Sequence, residues 1–341
     1  MDQPMKQRAA FIMPLKISGS ERDIREFRAS IAAIESQSDK DWDIVLVEDF
    51  SNDERVYQAI DDIKEKLQDR LHVIYSNKNY GTGPARNKGV LYAKEKGYPF
   101  ILFNDSDDLT DPRRLELVRK AFEEDESVNV VYTSFDIIDE NSSLVNDDKI
   151  PACIKEIIDG HKVDPVEGEC AWAQIAMKKK YTNLTSCTAV RTSLASEELF
   201  PSSSVSEDCH TWIRYGAHPG KFHLIQEIIG HYRIRLGTQS RSRSINKDFY
   251  EKMYFNDCDV FEQALKLAKK YGTMPKEYDE LELRVAQRTR LSLNLYNSGN
   301  LFLAERAINE ASGLCKELTR KYIDLLPCEP SVKVEIANLI K

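Results

Sequence analysis

Long apolar runs are missing from this sequence. The longest candidates, such as Ile44 to Val47 and Phe100 to Phe103, are strand-sized, far short of the ~20 residues that a bilayer-spanning helix needs. Paired cysteines are missing too. The seven cysteines are scattered, odd in number and never spaced as Cys-x-x-Cys, which excludes the signatures of a zinc knuckle and a disulfide framework and suits a reducing cytoplasm. The start, Met1-Asp2-Gln3-Pro4, carries no apolar signal segment, so a cytoplasmic location is expected. Positive charge is in deficit: the net charge is −8, and no nucleic-acid partner is expected. What is present, 41% hydrophobic and 30% charged residues over 341 positions, describes a folded chain of one large or two ordinary domains.

The first half alternates two patterns. Short apolar runs at Ala9 to Met13, Trp42 to Val47, Leu71 to Tyr75, Pro99 to Phe103 and Val128 to Ser134 read as strands. Between them, Glu21 to Gln37, Asp53 to Leu67, Ala85 to Lys96 and Arg113 to Glu124 read as helices, the first from Ile24, Phe27, Ile31 and Ile34 at helical spacing. Alternating strands and helices predict a parallel sheet covered on both faces, with ligands beyond the C-terminal strand ends. From Phe249 onward strand patterns vanish. Phe255 to Tyr271, Glu280 to Ser298 and Leu301 to Tyr322 read as helices, with one tetratricopeptide-like pair within Leu291 to Ala311. The expected domains are 1–243, α/β, and 244–341, a small all-α unit.

Five segments carry candidate chemistry. Asp105-Ser106-Asp107-Asp108 follows a strand, and its carboxylates repel unless a hard divalent cation such as Mg²⁺ or Mn²⁺ sits among them. The alternative is an acidic turn before the helix near Pro112, capped by Asp111. Glu48-Asp49-Phe50-Ser51-Asn52-Asp53 could accept from a nucleobase N–H or ribose hydroxyls, or could be a turn with Ser51 or Asn52 as helix cap. Asn79 to Gly89 opens a helix with glycines, placing Arg86 near an anion-favouring helix end, where it could face a phosphate or brace the acidic loop. Ser206-Glu207-Asp208 offers a general base, or acids serving a helix dipole. His231-Tyr232-Arg233-Ile234-Arg235, continuing through Gly237 to Arg241 and Arg243, could close on phosphates or could be a basic strand and linker. Lys178 to Lys180 reads as a solvated helix end.

Taken in order, these elements resemble the family 2 glycosyltransferases over about residues 8–240. The carriers are Phe11-Ile12-Met13-Pro14, Val47-Glu48-Asp49-Phe50-Ser51-Asn52-Asp53, Asn79 and Gly81 with Ala85-Arg86-Asn87-Lys88-Gly89, Asp105-Ser106-Asp107-Asp108, Thr185-Ser186-Cys187 to Arg191, then Phe200, Glu207-Asp208 and Tyr232-Arg233. The resemblance implies a GT-A fold: a Rossmann-like, mostly parallel central sheet flanked by helices, here followed by the small helical domain. It implies an inverting, metal-dependent transferase using Mn²⁺ or Mg²⁺. The donor would be a nucleoside-diphosphate sugar, UDP-linked, and the acceptor a glycan or glycolipid hydroxyl in bacterial surface polysaccharide synthesis.

Residue by residue, the resemblance implies that Pro14, Glu48, Asp49, Asn79, Arg86, Asp105, Ser106, Arg233 and Arg235 line the donor site. Asp49 would bind the nucleobase, and Asp107, with Asp105, the metal. Asp208 would be the base, and Glu207 would position the acceptor. Four departures stand out. Glu48 replaces the usual first Asp, a tolerable change in reach. Phe50 replaces the usual Gly, which means a different backbone or a blocking side chain. Leu15-Lys16 replaces an aromatic-polar pair. Arg235 stands where many members have His, so phosphate contact is expected there instead of metal ligation, with His231 as a substitute ligand or a structural residue. The helical domain could support a homodimer or a contact with the inner face of the membrane. Two other classes compete with this reading. A nucleotidyltransferase needs a glycine-rich grip after the first strand, where Met13 to Ser20 holds only Gly19. A non-catalytic nucleotide-sugar or scaffold protein would act through its helical domain.

Overall fold

The computed structural model describes residues 8–178, 183–203, 205–235 and 248–341, the side chains of residues 152, 153, 178, 228 and 229 excepted. Arg241 and Arg243 and the two lysines after Lys178 lie outside the described residues. The first elements alternate: β1 (Ala9–Leu15), α1 (Glu21–Glu35), β2 (Trp42–Glu48), α2 (Glu54–Leu67), β3 (Leu71–Tyr75), α3 (Thr82–Lys96), β4 (Phe100–Phe103), α4 (Arg114–Glu124) and β5 (Val128–Ile138). Then follow α5 (Ala152–Val163), α6 (Ala171–Lys178), β6 (Thr188–Arg191), α7 (Thr192–Glu197), α8 (Glu207–Gly216) and β7 (Lys221–Arg233). The chain ends in α9 (Phe249–Tyr271), α10 (Glu280–Asn297), α11 (Leu301–Leu314), α12 (Lys316–Asp324) and α13 (Pro330–Asn338).

The sheet runs β3-β2-β1-β4-β6-β5-β7. Neighbours from β3 to β4 are parallel, whereas β6 pairs antiparallel with both β4 and β5. The sheet is therefore mostly parallel on the side where sequence periodicity predicted it and mixed beyond β4. Every residue of β1 and of β2 is buried, which is why both read as continuous apolar runs. Phe27, Ile31 and Ile34 of α1 pack on Phe11, Ile44 and Leu46 in one core. Pro14 lies two residues past Ile12, the last residue of β1 paired with β4, so its missing N–H leaves no gap on that side.

Several boundaries moved for local reasons. Helix α3 starts at Thr82 instead of Ala85, because Pro84 fits a first helical turn. Asp53, not Ser51 or Asn52, caps α2 through the Arg55 amide. The run from Leu301 to Tyr322 is two helices, because Cys315 is extended (φ −161°).

The chain forms two compact units. The first comprises residues 1–167, 183–208 and 222–238; the second comprises 168–182, 209–221 and 239–341. Two segments ahead of residue 244 thus belong to the helical unit. There Arg290 Nε donates to the Ala176 carbonyl at 2.9 Å, and Trp172 Nε1 to that of Thr273 at 3.2 Å. Buried Arg290 also pairs with Asp257 at 2.5 Å. Helices α10 and α11 make one hairpin, joined through Gly299 in a left-handed turn and capped by Asn300. No helix among the described residues is long and apolar enough to cross a membrane.

Candidate active site

The site is built around Arg86 of α3. A Cβ at Gly89 would lie 2.6 Å from Ile12 Cγ2, so glycine there lets α3 lie directly on β1. A Cβ at Gly83 would meet the Pro201 carbonyl at 2.8 Å. Asn87 exchanges two hydrogen bonds of 2.8 Å with the Phe200 backbone. These contacts fix the N-terminal half of α3 and explain why small residues flank the arginine. Arg86 is buried. Its Nη2 donates to both Asp105 oxygens, at 2.8 and 3.0 Å, its Nη1 reaches Glu207 at 3.4 Å, and its guanidinium lies over the Phe200 ring. Burial alone would lower its pKa, but the charges of Asp105 and Glu207 raise it.

The acidic turn after β4 is held from several sides. Asn104 donates to Ser30 Oγ and to the Asp105 carbonyl, each at 3.0 Å. Buried Arg114 donates to the Phe103 and Thr188 carbonyls at 3.1 Å. Ser186 Oγ accepts from the Asp105 amide at 2.9 Å and donates to Asp108 at 2.5 Å. Arg233 donates its amide to Asp108 (2.8 Å), Nε to the Asp107 carbonyl (2.7 Å) and Nη1 to the Asp139 carbonyl (2.6 Å). Arg233, predicted to contact the donor, thus directs these donors at the protein and braces the acidic turn. Asp111, expected to cap α4, accepts from the Arg113 amide one residue before that helix.

Charge is crowded here. Burial first, then Asp105, pushes Asp107 up to about 6. Burial, Asp107 and Asp105 raise Asp108 well above the usual carboxylate range. Burial and neighbouring Asp208 push Glu207 up to about 7, against the pull of Arg86. The phenol of Tyr232 is raised by burial and then by Asp108, Asp107, Asp105 and Asp208 together. Carboxylates from the turn after β4 and from the start of α8 therefore act on one group, as expected if they share a rim.

The other predicted residues fall nearby in function but differ in what they touch. Glu48 accepts from the amides of Phe50 (3.2 Å) and Ser51 (2.5 Å), closing its own turn. Asp49 is buried and accepts from the amides of Tyr80 and Gly81, the latter at 2.8 Å, so it ties the β2 turn to the glycine loop. Asn79 also accepts from the Gly81 amide, at 3.0 Å. Ser106 is buried. Phe50 keeps a glycine-like backbone (φ +64°) and leaves its side chain half-exposed. Its carbonyl accepts from Lys16 Nζ. Arg235 pairs with Asp23 at 3.2 Å and Glu26 at 3.7 Å. The backbone of His231 pairs with Leu109, and its Nδ1 is buried without a hydrogen-bond partner. The bracing roles of Ser30, Asn104 and Arg114 escaped the sequence reading. Their signal is a polar residue inside an otherwise apolar pattern.

Among the described residues, no three His, Cys, Asp or Glu side chains form a ready metal cage. Mg²⁺ and Mn²⁺ are commonly held by one or two carboxylates and completed by water and substrate phosphates. Arg86 holds both Asp105 oxygens, which leaves Asp107 as the carboxylate of the turn that could hold such an ion.

The family model described as Glycosyl transferase family 2 matches residues 12–183. The chain belongs to this family. It is similar to an uncharacterised glycosyltransferase of Methanocaldococcus jannaschii, 25% identical over 67% of this chain and 71% of the relative. It is 32% identical to the putative teichuronic acid biosynthesis glycosyltransferase TuaG of Bacillus subtilis, over 26% of this chain and 32% of that one. The crystal structure of S. aureus TarS 1–349 in complex with UDP-GlcNAc superposes with a TM-score of 0.55 at 17% identity, covering 94% of this chain and 93% of that one. The fold is GT-A, and the protein is a glycosyltransferase.

Proposed function

We propose that this glycosyltransferase moves a sugar from a nucleoside diphosphate, UDP-linked, to a hydroxyl of a glycan or glycolipid, with inversion. The carrying observation is Arg86, whose one guanidinium joins Asp105 of the acidic turn to Glu207 of the base motif. Asp208, next to Glu207, is the base that takes the acceptor proton as the anomeric carbon is attacked from behind. Burial and Asp208 push Glu207 up to about 7, so it is about half protonated at neutral pH, and it positions the acceptor. Asp107, with Asp105 beside it, would hold Mn²⁺ or Mg²⁺, which supplies neutralisation of the departing diphosphate. Asp49 receives the nucleobase N–H: its carboxylate has about four acceptor positions, and the Tyr80 and Gly81 amides leave room for one more donor. Pro14, Glu48, Asn79, Arg86 and Ser106 shape the donor site around it.

Residues 1–243 form the catalytic part in this reading and 244–341 the accessory part, a surface for a second copy or for the inner face of the membrane. Similarity to TuaG supports an acceptor in bacterial surface polysaccharide synthesis, and TarS bound to UDP-GlcNAc supports a UDP donor. The test is a panel of nucleotide sugars with Mn²⁺ and a glycolipid acceptor series, run on wild type and Asp208→Asn. Loss of about 10²- to 10⁴-fold in kcat with intact donor binding is expected. Turnover within a few-fold of wild type removes Asp208 as base.

A further inference from the structure

Helix α1 buries three polar side chains, Asp23, Glu26 and Ser30. Spacings of three and four residues put them in one stripe. Ser30 is accounted for, since its Oγ donates to the Asp105 carbonyl at 3.2 Å and accepts from Asn104 at 3.0 Å. The two carboxylates have no part in the reaction described above, and buried carboxylates are costly unless paired. Asp23 accepts from the Ser18 amide and hydroxyl at 3.1 and 2.5 Å, and from Arg235 Nη2 at 3.2 Å. Glu26 Oε2 lies 3.7 Å from the same nitrogen, and its Oε1, without a hydrogen bond, lies 4.0 Å from Arg22 Nε, which is also 3.8 Å from Asp23. Arg233, the last residue of β7, holds the Asp107 carbonyl and the Asp108 carboxylate, and Arg235 follows two residues beyond it. The charge of Glu26 is among those that raise Asp107.

The geometry points to Asp23 and Glu26 as positioning residues that hold the Arg235 guanidinium, two residues past the Arg233 clamp on the acidic turn, as a fixed cation for the donor diphosphate. The inference rests on the donor reading proposed above. A guanidinium presents parallel N–H groups that match two phosphate oxygens. A long side chain held in place before the ligand arrives loses less freedom on binding. Holding it on two carboxylates of α1 supplies that order.

The direction of the effect separates this role from a simple field effect. Removing a negative charge beside an anion site should by itself tighten anion binding. Loss of positioning should weaken it. The experiment is calorimetric titration of the full chain with UDP and with GDP in the presence of Mn²⁺, for wild type, Glu26→Gln, Arg235→Gln and the double variant. Glu26→Gln is expected to weaken binding about 3- to 10-fold, the range for one immobilised side chain. Arg235→Gln should weaken it at least as much, and the double variant should match Arg235→Gln alone. In turnover, the loss should fall on KM for the donor rather than on kcat. Unchanged or tighter binding by Glu26→Gln, or additive losses in the double variant, overturns the inference. If Glu26→Gln does not fold by circular dichroism, Asp23→Asn reads the same coupling with the same expected direction. A wild type that binds neither nucleotide overturns the donor reading together with this one, whereas nucleotide binding without coupling overturns this one alone.

Discussion

Replacing Glu207 by Gln should make the metal-free protein more stable at alkaline pH while impairing its work. Burial and Asp208 push this carboxyl from 4.5 to about 7, and each pKa unit corresponds to about 1.4 kcal/mol. The full shift is therefore worth about 3 kcal/mol, reduced to about 1–3 kcal/mol by its coupling to Asp208. The sign follows from linkage. A carboxyl whose folded pKa exceeds its unfolded one binds its proton more tightly when folded, so the folded state loses stability as pH rises from about 4.5 to about 7. A glutamine of the same shape escapes that loss. Urea unfolding of both proteins in EDTA at pH 5 and pH 8 measures it: the advantage of the variant should widen by about 2 kcal/mol between the two. A variant that loses ground to wild type over that interval refutes the argument, because Arg86 would then outweigh burial and Asp208.

Three further outcomes are expected. Gly89→Ala should lower stability by about 1–3 kcal/mol in thermal unfolding, since the added Cβ meets Ile12 at 2.6 Å; an unchanged melting point contradicts the close contact. Phe50→Gly should raise stability by about 0.5–1 kcal/mol, the left-handed penalty less the glycine entropy cost, because its φ is +64°; a loss of stability shows that the exposed ring packs. Asp107→Asn should abolish Mn²⁺-dependent donor binding in calorimetry. In wild type the Mn²⁺ effect should be weaker at pH 5 than at pH 8, because protons compete for a carboxyl raised to about 6; equal Mn²⁺ dependence in variant and wild type removes Asp107 as ligand.

The parallel half of the sheet was readable because its strands are buried on both faces and its helices carry regular apolar faces. The antiparallel β6 was not, since four residues, Thr188 to Arg191, carry too little pattern to separate strand from loop. The acidic turn and the base motif were visible as residue types, and so was Arg86 as a brace for the acidic turn; its reach to Glu207 was not, because the two are 121 positions apart. Arg233 and Arg235 looked alike in sequence. Only the fold separates one that clamps the turn from one that rests on α1. Asp23 and Glu26 went unnoticed because the apolar spacing of Ile24, Phe27, Ile31 and Ile34 alone explains a helix there.

The clamp at Arg86 also ties the two halves of the chemistry in charge without requiring backbone motion. Arginine keeps its proton at any working pH. A ligand that draws Asp105 away from it leaves more of its field for Glu207, making that side chain a stronger acid. Occupancy on one side of the guanidinium is thus reported to the other as a change in acidity, and by reciprocity the ionisation of Glu207 feeds back on how firmly Asp105 is held.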